Sequence, residues 1–407
     1  MLIVRLLQAI YSALVIYFVF RLLERTSSRE LAVGGGLLAA VFWVMPVTAV
    51  HQLEETVCQV PLLAGCWWWQ RSEDQDRPAV LWAALAGMAL GLALVLRLPL
   101  ISFVGVFVLG ALLLRLRPAS LAQKVALLGG LALVVVLQGY GNLIVNHRWG
   151  YSFIERLGPM LHPGRMAVEA DGYPNRPPWQ YVLTLLAAFI PPVSIILLWA
   201  AVKGGRKLPL IGLATLAFLI SHSLIANKQE RFLLPILPLL CILIAAGLPP
   251  LVDRFSGIYR PLQWYFWAVN TALLLVLTFS FAKQDRVAPL LYVYRRDDAT
   301  GVLVAQLNQT FHVPEYYLGR PRPRLVIIEG RESAPRSPQR QVTDSAGINY
   351  VILYSDAASA DSAFLSATLG HDLRLLATVQ PSLADRIAHA INPRHNKARA
   401  ALIYTTS

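Results

Sequence analysis

Long apolar stretches fill the first 282 residues and constrain the fold more than any other feature of the chain. The 407-residue sequence is 56% hydrophobic and 14% charged, a composition outside the usual range of soluble domains. A bilayer core of about 30 Å is crossed by roughly 20 apolar residues in a helix, which satisfies its own backbone hydrogen bonds. The sequence therefore predicts an α-helical polytopic membrane protein.

The apolar stretches predict about ten spans. Their ranges are 2–23, 31–49, 56–70, 79–96, 98–115, 123–145, 180–201, 208–226, 232–250 and 262–282. Clusters of Lys and Arg occupy every second connecting loop, which accounts for the net charge of +13 without a nucleic-acid partner. Since short loops rich in these residues stay in the cytoplasm, the long loop 146–179, the loop 227–231 and the amino terminus are predicted to be extracytoplasmic.

The residues from 283 onward have the pattern of a soluble domain. Apolar, β-branched runs at 324–328, 348–354 and 400–405 predict buried strands, and helical patterns separate them. We therefore predict a transmembrane domain over 1–282, which includes the outer loop 146–179, and a small extracytoplasmic α/β domain over 283–407.

Three charged residues meet at the start of one apolar span, in the segment Asn227-Lys228-Gln229-Glu230-Arg231-Phe232. Ionisable groups at that depth are costly unless they are paired or face a polar cavity. The Arg231 guanidinium is a planar fork of donors and the Lys228 ammonium is a compact charge, so both suit a lipid phosphate. The alternative is that these side chains extend to the interface and only fix the topology.

This stretch, NKQERFLLPILPLL, resembles the His-Lys-Glu signature of the glycosyltransferase family 22 mannosyltransferases, with Asn227 where the family has His. The segment from Pro177 to Tyr181 is similar to the family's His-Pro-Trp-His-Trp-Tyr, and Arg97-Leu98-Pro99 to its Arg-Pro-Thr. The likeness covers about residues 1–282. It implies a GT-C type mannosyltransferase, as in glycosylphosphatidylinositol and lipid-linked oligosaccharide synthesis, in a bacterial inner membrane or an endoplasmic reticulum membrane.

The resemblance implies a polyprenyl-phosphate sugar as donor substrate, a lipid-linked or surface glycan as acceptor, and no required cofactor; no metal-binding residues are predicted. Lys228, Arg231 and Arg97 would hold the donor phosphate. Side chains of the substrate pocket would be Trp179, Tyr181, Asn227 and His51.

An inverting transfer also needs a general base for the acceptor hydroxyl, and the candidates are Glu54, Glu55 and Glu230. Glu230 would otherwise orient the cations, and Glu54 and Glu55 could simply be an acidic pair favoured at a helix start. The family has an Asp-Glu motif in its first outer loop, and the sequence begins beyond that point. We therefore hypothesise that the chain is incomplete relative to the family, as in a bacterial relative that lacks the first span and this loop.

Two other functions would also need cations at a membrane boundary. One is a transporter or flippase of a lipid-linked anion, although the inverted repeats typical of transporters are not visible in the sequence. The other is a catalytically silent scaffold, which the missing acidic loop would explain.

Overall fold

The chain forms two compact units, Met1–Leu274 and Leu275–Ser407. The computed structural model describes residues 2–51, 53–74, 78–114, 119–148, 150, 176–225, 228–254, 256–280, 283–307, 311–330, 347–355, 357–391 and 398–406. The sequence predicts the domain boundary at 282/283, and the structure divides the chain within the long helix Ser256–Phe279. Most of the predicted outer loop 146–179 lies outside the described residues.

The first unit consists of α-helices. Their bounds are α1 Leu2–Glu24, α2 Arg29–Val41, α3 Val44–Ala49, α4 Glu54–Val57, α5 Gln59–Ser72, α6 Ala79–Leu96, α7 Ile101–Leu113, α8 Leu121–Asn146, α9 Gln180–Ala188, α10 Val193–Lys207, α11 Pro209–Leu224, α12 Leu237–Gly247, α13 Pro249–Arg254 and α14 Ser256–Phe279. Short 3-10 helices at Leu98–Leu100 and Glu230–Ile236 precede α7 and α12.

Among the described residues, five helices are long and apolar enough to cross a membrane. The pair α9 and α10 makes a sixth span if it is counted as one, and the stretches Leu98–Leu113 and Pro209–Leu224 are apolar but shorter. The predicted polytopic helical fold is confirmed.

The predicted span over 180–201 is broken into two helices. The chain bends by 110° between α9 and α10, at Pro191 and Pro192. Proline has no backbone N–H and its ring clashes with the preceding turn, so a helix cannot continue through two of them. Hydropathy does not show the break because the sequence stays apolar on both sides.

Glycines allow two helix pairs to approach closely. A Cβ added at Gly87 of α6 would lie 1.9 Å from the Leu127 carbonyl oxygen of α8, and one at Gly247 of α12 would lie 1.9 Å from the Ala200 carbonyl oxygen of α10. Small residues at such positions are how membrane helices maximise backbone contact. These contacts hold the scaffold that positions the site described below.

The second unit contains a five-stranded sheet in the order β2-β1-β3-β5-β4. The strands are β1 Gly301–Gln306, β2 Arg324–Glu329, β3 Tyr350–Tyr354, β4 Leu373–Val379 and β5 Ala401–Thr406, and the helices are α15 Gln284–Tyr294, α16 Ala358–Leu369 and α17 Leu383–Ile391. The first three strands pair in parallel, whereas β5 is antiparallel to both β3 and β4.

Both faces of this sheet are covered, so the central strand β1 is apolar except for Gln306. In β1, Val302 and Val304 belong to one buried cluster, and Leu303 and Ala305 belong to another. The predicted small α/β domain is confirmed, with strands at all three predicted runs.

Candidate active site

A carboxylate lies between two guanidinium groups at the ends of three helical segments in the first unit. The Oε1 atom of Glu55 is 3.0 Å from Nη1 of Arg97 and 3.6 Å from Nε of Arg231. The side chains of Glu55 and Arg97 are only 5% and 7% exposed, whereas that of Arg231 is 49% exposed. The two arginines therefore differ in exposure. Arg97 is buried, whereas Arg231 reaches the surface.

Hydrogen bonds from neighbouring segments fix the position of Glu55. It lies in the short helix α4, where the Thr56 hydroxyl donates to the Leu53 carbonyl at 2.9 Å. The Tyr11 hydroxyl of α1 donates to the Val57 carbonyl at 2.9 Å. Gln59 Nε2 donates to the Leu234 carbonyl at 2.7 Å and so joins α5 to the 3-10 helix Glu230–Ile236. The carboxylate is consequently held against the segment that contains Arg231.

Arg97 reaches the cluster because α6 ends there. Its backbone is extended, with φ −147°, and its N–H donates to the Ala93 carbonyl as the helix terminates. The Arg97 guanidinium carbon lies 5.2 Å from the centre of the Phe232 ring, and that of Arg231 lies 5.7 Å from it. A ring shared by two cations gives each a favourable contact.

Lys228 occupies a different environment from Arg231, although the two are close in sequence. It is 3% exposed, its ammonium donates to the Arg176 carbonyl at 3.1 Å and to the Ile225 carbonyl, and it lies 6.0 Å from the centre of the Tyr181 ring. Burial lowers the pKa of Lys228 from its ordinary value. Its hydrogen bonds are therefore directed to the protein backbone.

Glu230 is exposed and pairs with Arg176, whose Nη1 lies 2.9 Å from the Glu230 Oε1. Among the described residues, the carboxylate that contacts Arg231 is Glu55, and the cation that Glu230 contacts is Arg176. Sequence reasoning missed Arg176; the only available signal was its position directly before the Pro177-Pro178-Trp179 segment.

The remaining predicted site residues lie in varied settings. Tyr181 is 1% exposed next to Lys228, whereas Trp179 is 62% exposed. Glu54 is exposed beside Glu55. His51 is exposed, with Nδ1 2.7 Å from the Val47 carbonyl oxygen. Asn227 lies outside the described residues.

The cluster has an excess of positive charge. Among the residues that the structure describes, the ion pairs join two guanidinium groups to one carboxylate, so this network carries a net positive charge. Among the described residues, Nε of Arg97 also has no hydrogen-bond partner. No group of three or more His, Cys, Asp or Glu side chains is placed to hold a metal ion in the described part of the chain. The arrangement is suited to an anion with several oxygen atoms, which could bind two guanidinium groups at once.

Comparisons with known proteins give matches of two kinds. Residues 168–313 match the model of the Alg9-like mannosyltransferase family, and residues 1–139 match the model of the dolichyl-phosphate-mannose-protein mannosyltransferases. Among solved structures, the chain is similar to ArnT from Cupriavidus metallidurans bound to undecaprenyl phosphate, at a TM-score of 0.57 and 15% identity. The match covers 98% of this chain and 83% of that one.

ArnT in the apo state is similar at a TM-score of 0.53 and 14% identity, with the same coverage of both chains. No curated protein sequence matches the chain significantly. The structural likeness confirms the predicted GT-C-like fold, the family models confirm the expected kinship with mannosyltransferases, and nothing found in either comparison supports the transporter alternative.

Proposed function

Since this chain is a membrane glycosyltransferase of the GT-C type, related to the mannosyltransferase families, we propose that it transfers a hexose from a polyprenyl-phosphate donor to a lipid-linked or surface glycan. Mannose is the sugar that both family names favour. The ArnT structure with undecaprenyl phosphate supports a lipid of the same class as donor here.

The observation that carries this proposal is the Glu55–Arg97–Arg231 network with its unbalanced positive charge. The donor phosphate would bind Arg231, because this side chain is half exposed and still ordered by Glu55. Arg97 would provide a second cation from the buried side, where low dielectric strengthens its attraction for the phosphate. Lys228 would contribute through its charge and by holding the segments together.

Transfer requires the acceptor hydroxyl oxygen to bond to the anomeric carbon while the bond from that carbon to the phosphate oxygen breaks. The leaving polyprenyl phosphate takes the electron pair, so negative charge increases on its oxygen in the transition state. Two preorganised guanidinium groups stabilise that charge, which is the kind of electrostatic contribution that dominates many enzymes. The arginines are thus assigned to leaving-group stabilisation.

The proton of the acceptor hydroxyl must pass to a base. Glu55 is engaged by both arginines, so we assign it to positioning them. Glu54 adjoins it on α4 and is exposed, which makes it the first candidate base; Glu230, which binds Arg176, is the second. Trp179 and Tyr181 would shape the substrate pocket. No cofactor is needed for this chemistry.

The site would work on the extracytoplasmic face. The alternation of Lys and Arg clusters between the loops supports this orientation, because the segment containing Arg231 follows a span whose other end is positively charged. A lipid-linked sugar donor and an acceptor glycan on that face would both have access to the site.

Transfer of labelled sugar in membrane vesicles tests the proposal. Vesicles with the wild-type chain, given labelled polyprenyl-phosphate mannose and a lipid-linked glycan acceptor, should form labelled glycan. Arg231→Gln should reduce transfer by about a hundredfold, as removal of a donor that stabilises transition-state charge does elsewhere. Arg322→Gln is the matched control: Arg322 is 43% exposed and also paired with a glutamate, and the variant should retain wild-type transfer.

Donor crossing the membrane without labelled product would instead support a flippase. Equal transfer by the Arg231→Gln and Arg322→Gln variants would refute the assignment of the phosphate site. Glu54→Gln and Glu230→Gln, measured in the same assay, separate the two candidate bases.

A further inference from the structure

A cavity lies in the first unit, between α2, α10, α12, α13 and α14. Its volume is about 240 Å³ and its walls are largely aliphatic and aromatic. The residues that define its length and character are Glu30, Gly34, Leu38, Leu248, Tyr259 and Trp267. We call it the α2–α14 groove.

The groove is elongated and polar at one end. The Asn270 amide of α14 donates to the carbonyl of Val41, the last residue of α2, and accepts from the Trp43 N–H. Since the residues that line the groove precede these contacts on both helices, the two helices start at the same end of the groove. Glu30 and Tyr259 are in their first turns, and Leu38 and Trp267 lie further along. At ~1.5 Å per residue the lining extends for about 12 Å.

The groove is distinct from the proposed active site. Leu248, which lines the groove, directly follows the end of α12. Phe232 and Arg231 of the proposed active site precede the start of that helix. At ~1.5 Å per residue, the intervening length of helix separates them by the order of 15 Å.

Charge indicates which occupant fits. Among the described lining residues, Glu30 is the only charged one. A carboxylate at the mouth repels an anionic headgroup, including the phosphate of the proposed sugar donor, and attracts an ammonium group through a charge-assisted hydrogen bond. An apolar channel in a membrane protein with such a mouth matches a lipid that has an amine headgroup.

We propose that the α2–α14 groove binds one phospholipid with a cationic amine headgroup, such as phosphatidylethanolamine. One acyl chain lies along Gly34 and Leu38, and the ammonium group contacts Glu30. The bound lipid fills the gap between α2 and α14 and stabilises the first unit without taking part in sugar transfer.

Substitution of a glycine that lines the groove can block it. A Cβ added at Gly34 meets no heavy atom within 4 Å, so a large side chain there enters open space instead of the helix packing. At the next residue, Gly35, a Cβ would lie 2.2 Å from Leu23 Cδ1, so that position is unsuitable. Gly129 of α8 also has nothing within 4 Å and does not line the groove.

Native mass spectrometry of the purified full chain, titrated with phosphatidylethanolamine or phosphatidylglycerol, tests the proposal. The wild type should retain one phosphatidylethanolamine and bind phosphatidylglycerol more weakly. Gly34→Phe should weaken phosphatidylethanolamine binding by about tenfold or more, whereas Gly129→Phe should bind it as the wild type does. Glu30→Gln should remove most of the preference, about fivefold for one charge-assisted hydrogen bond.

Several results would overturn the inference. They are equal lipid retention by the Gly34→Phe and Gly129→Phe variants, tighter binding of phosphatidylglycerol, or displacement of the amine lipid by undecaprenyl phosphate. Unchanged preference in Glu30→Gln would refute the headgroup contact. Since the readout is lipid binding, failure here leaves the vesicle assay of the proposed transferase unaffected.

Discussion

Neutralising Glu55 is the most direct test of how the charged cluster is built. Glutamine keeps the size of the side chain and one oxygen acceptor but loses the negative charge. The Arg97 charge, 7% exposed, would then be buried without a counter-charge. Breaking a buried ion pair in this way costs about 3–5 kcal/mol, and because the amide oxygen still accepts from Arg97 we expect the Glu55→Gln variant at the lower end of that range.

The second arginine should behave differently. Arg231 is 49% exposed and 3.6 Å from Glu55, and ion pairs open to solvent contribute about 0–1 kcal/mol. Arg231→Gln should therefore lower the free energy of unfolding by no more than about 1 kcal/mol even though it abolishes most transfer. Arg97→Gln should cost about 3–5 kcal/mol.

Double-mutant cycles in detergent micelles, with unfolding followed by circular dichroism, separate these contributions. We expect a coupling energy of about 2 kcal/mol or more between Glu55→Gln and Arg97→Gln, and about 0.5 kcal/mol between Glu55→Gln and Arg231→Gln. Equal couplings, or a Glu55→Gln variant as stable as the wild type, would refute the proposal that a buried carboxylate organises the pair.

Other parts of the chain give three further predictions. Gly87→Ala places a Cβ against the carbonyl of the facing helix and should lower the unfolding free energy by about 1–3 kcal/mol, while Gly129→Ala, with open space around it, should be nearly neutral in the same thermal assay. Asn270→Ala removes both hydrogen bonds to the break after α2 and should cost about 2–3 kcal/mol in that assay; wild-type stability would contradict this bridging role. Burial, reinforced by the hydrogen bond to Asp298, raises the pKa of Tyr350 to about 12, so stability of the full chain should fall as pH rises from about 10 towards 12, and Tyr350→Phe should reduce this fall in a pH series of unfolding curves.

Hydropathy predicted the helices of the first unit because lipid imposes one requirement on all of them, an apolar surface with internal hydrogen bonding. It could not predict the bend at Pro191. Hydropathy sums the free energies of transferring side chains from water to lipid, and this sum is the same for a straight helix and a bent one. In the second unit the central strand β3 was predicted from its β-branched run. Two strands, β1 and β4, were not predicted. The strand β4 lies at the sheet edge and is partly exposed, and Arg374 interrupts its apolar residues. The strand β1 is fully buried, but it is a short run that begins with Gly301 and ends with Gln306.

The residues of the site were partly predictable, but their pairing was not. The cost of ionisable groups at a membrane boundary indicated Lys228 and Arg231. The contact of Arg231 with Glu55 depends on how α4 packs against the 3-10 helix, and no spacing in the sequence reports that packing. Glu230 was the nearer carboxylate along the chain, yet Arg176 is the partner that the structure provides for it.

The different duties of Lys228 and Arg231 follow from where helices end. The last carbonyls of a helix have no partner within it, and α11 ends at Leu224 with the Ile225 carbonyl unpaired by the helix. Lys228 donates to that oxygen, and a cation there is also favoured by the helix dipole. Among the described residues Lys228 thus satisfies a backbone oxygen, whereas Arg231 pairs with Glu55. In the proposed function, the other donors of the Arg231 guanidinium would bind the donor phosphate.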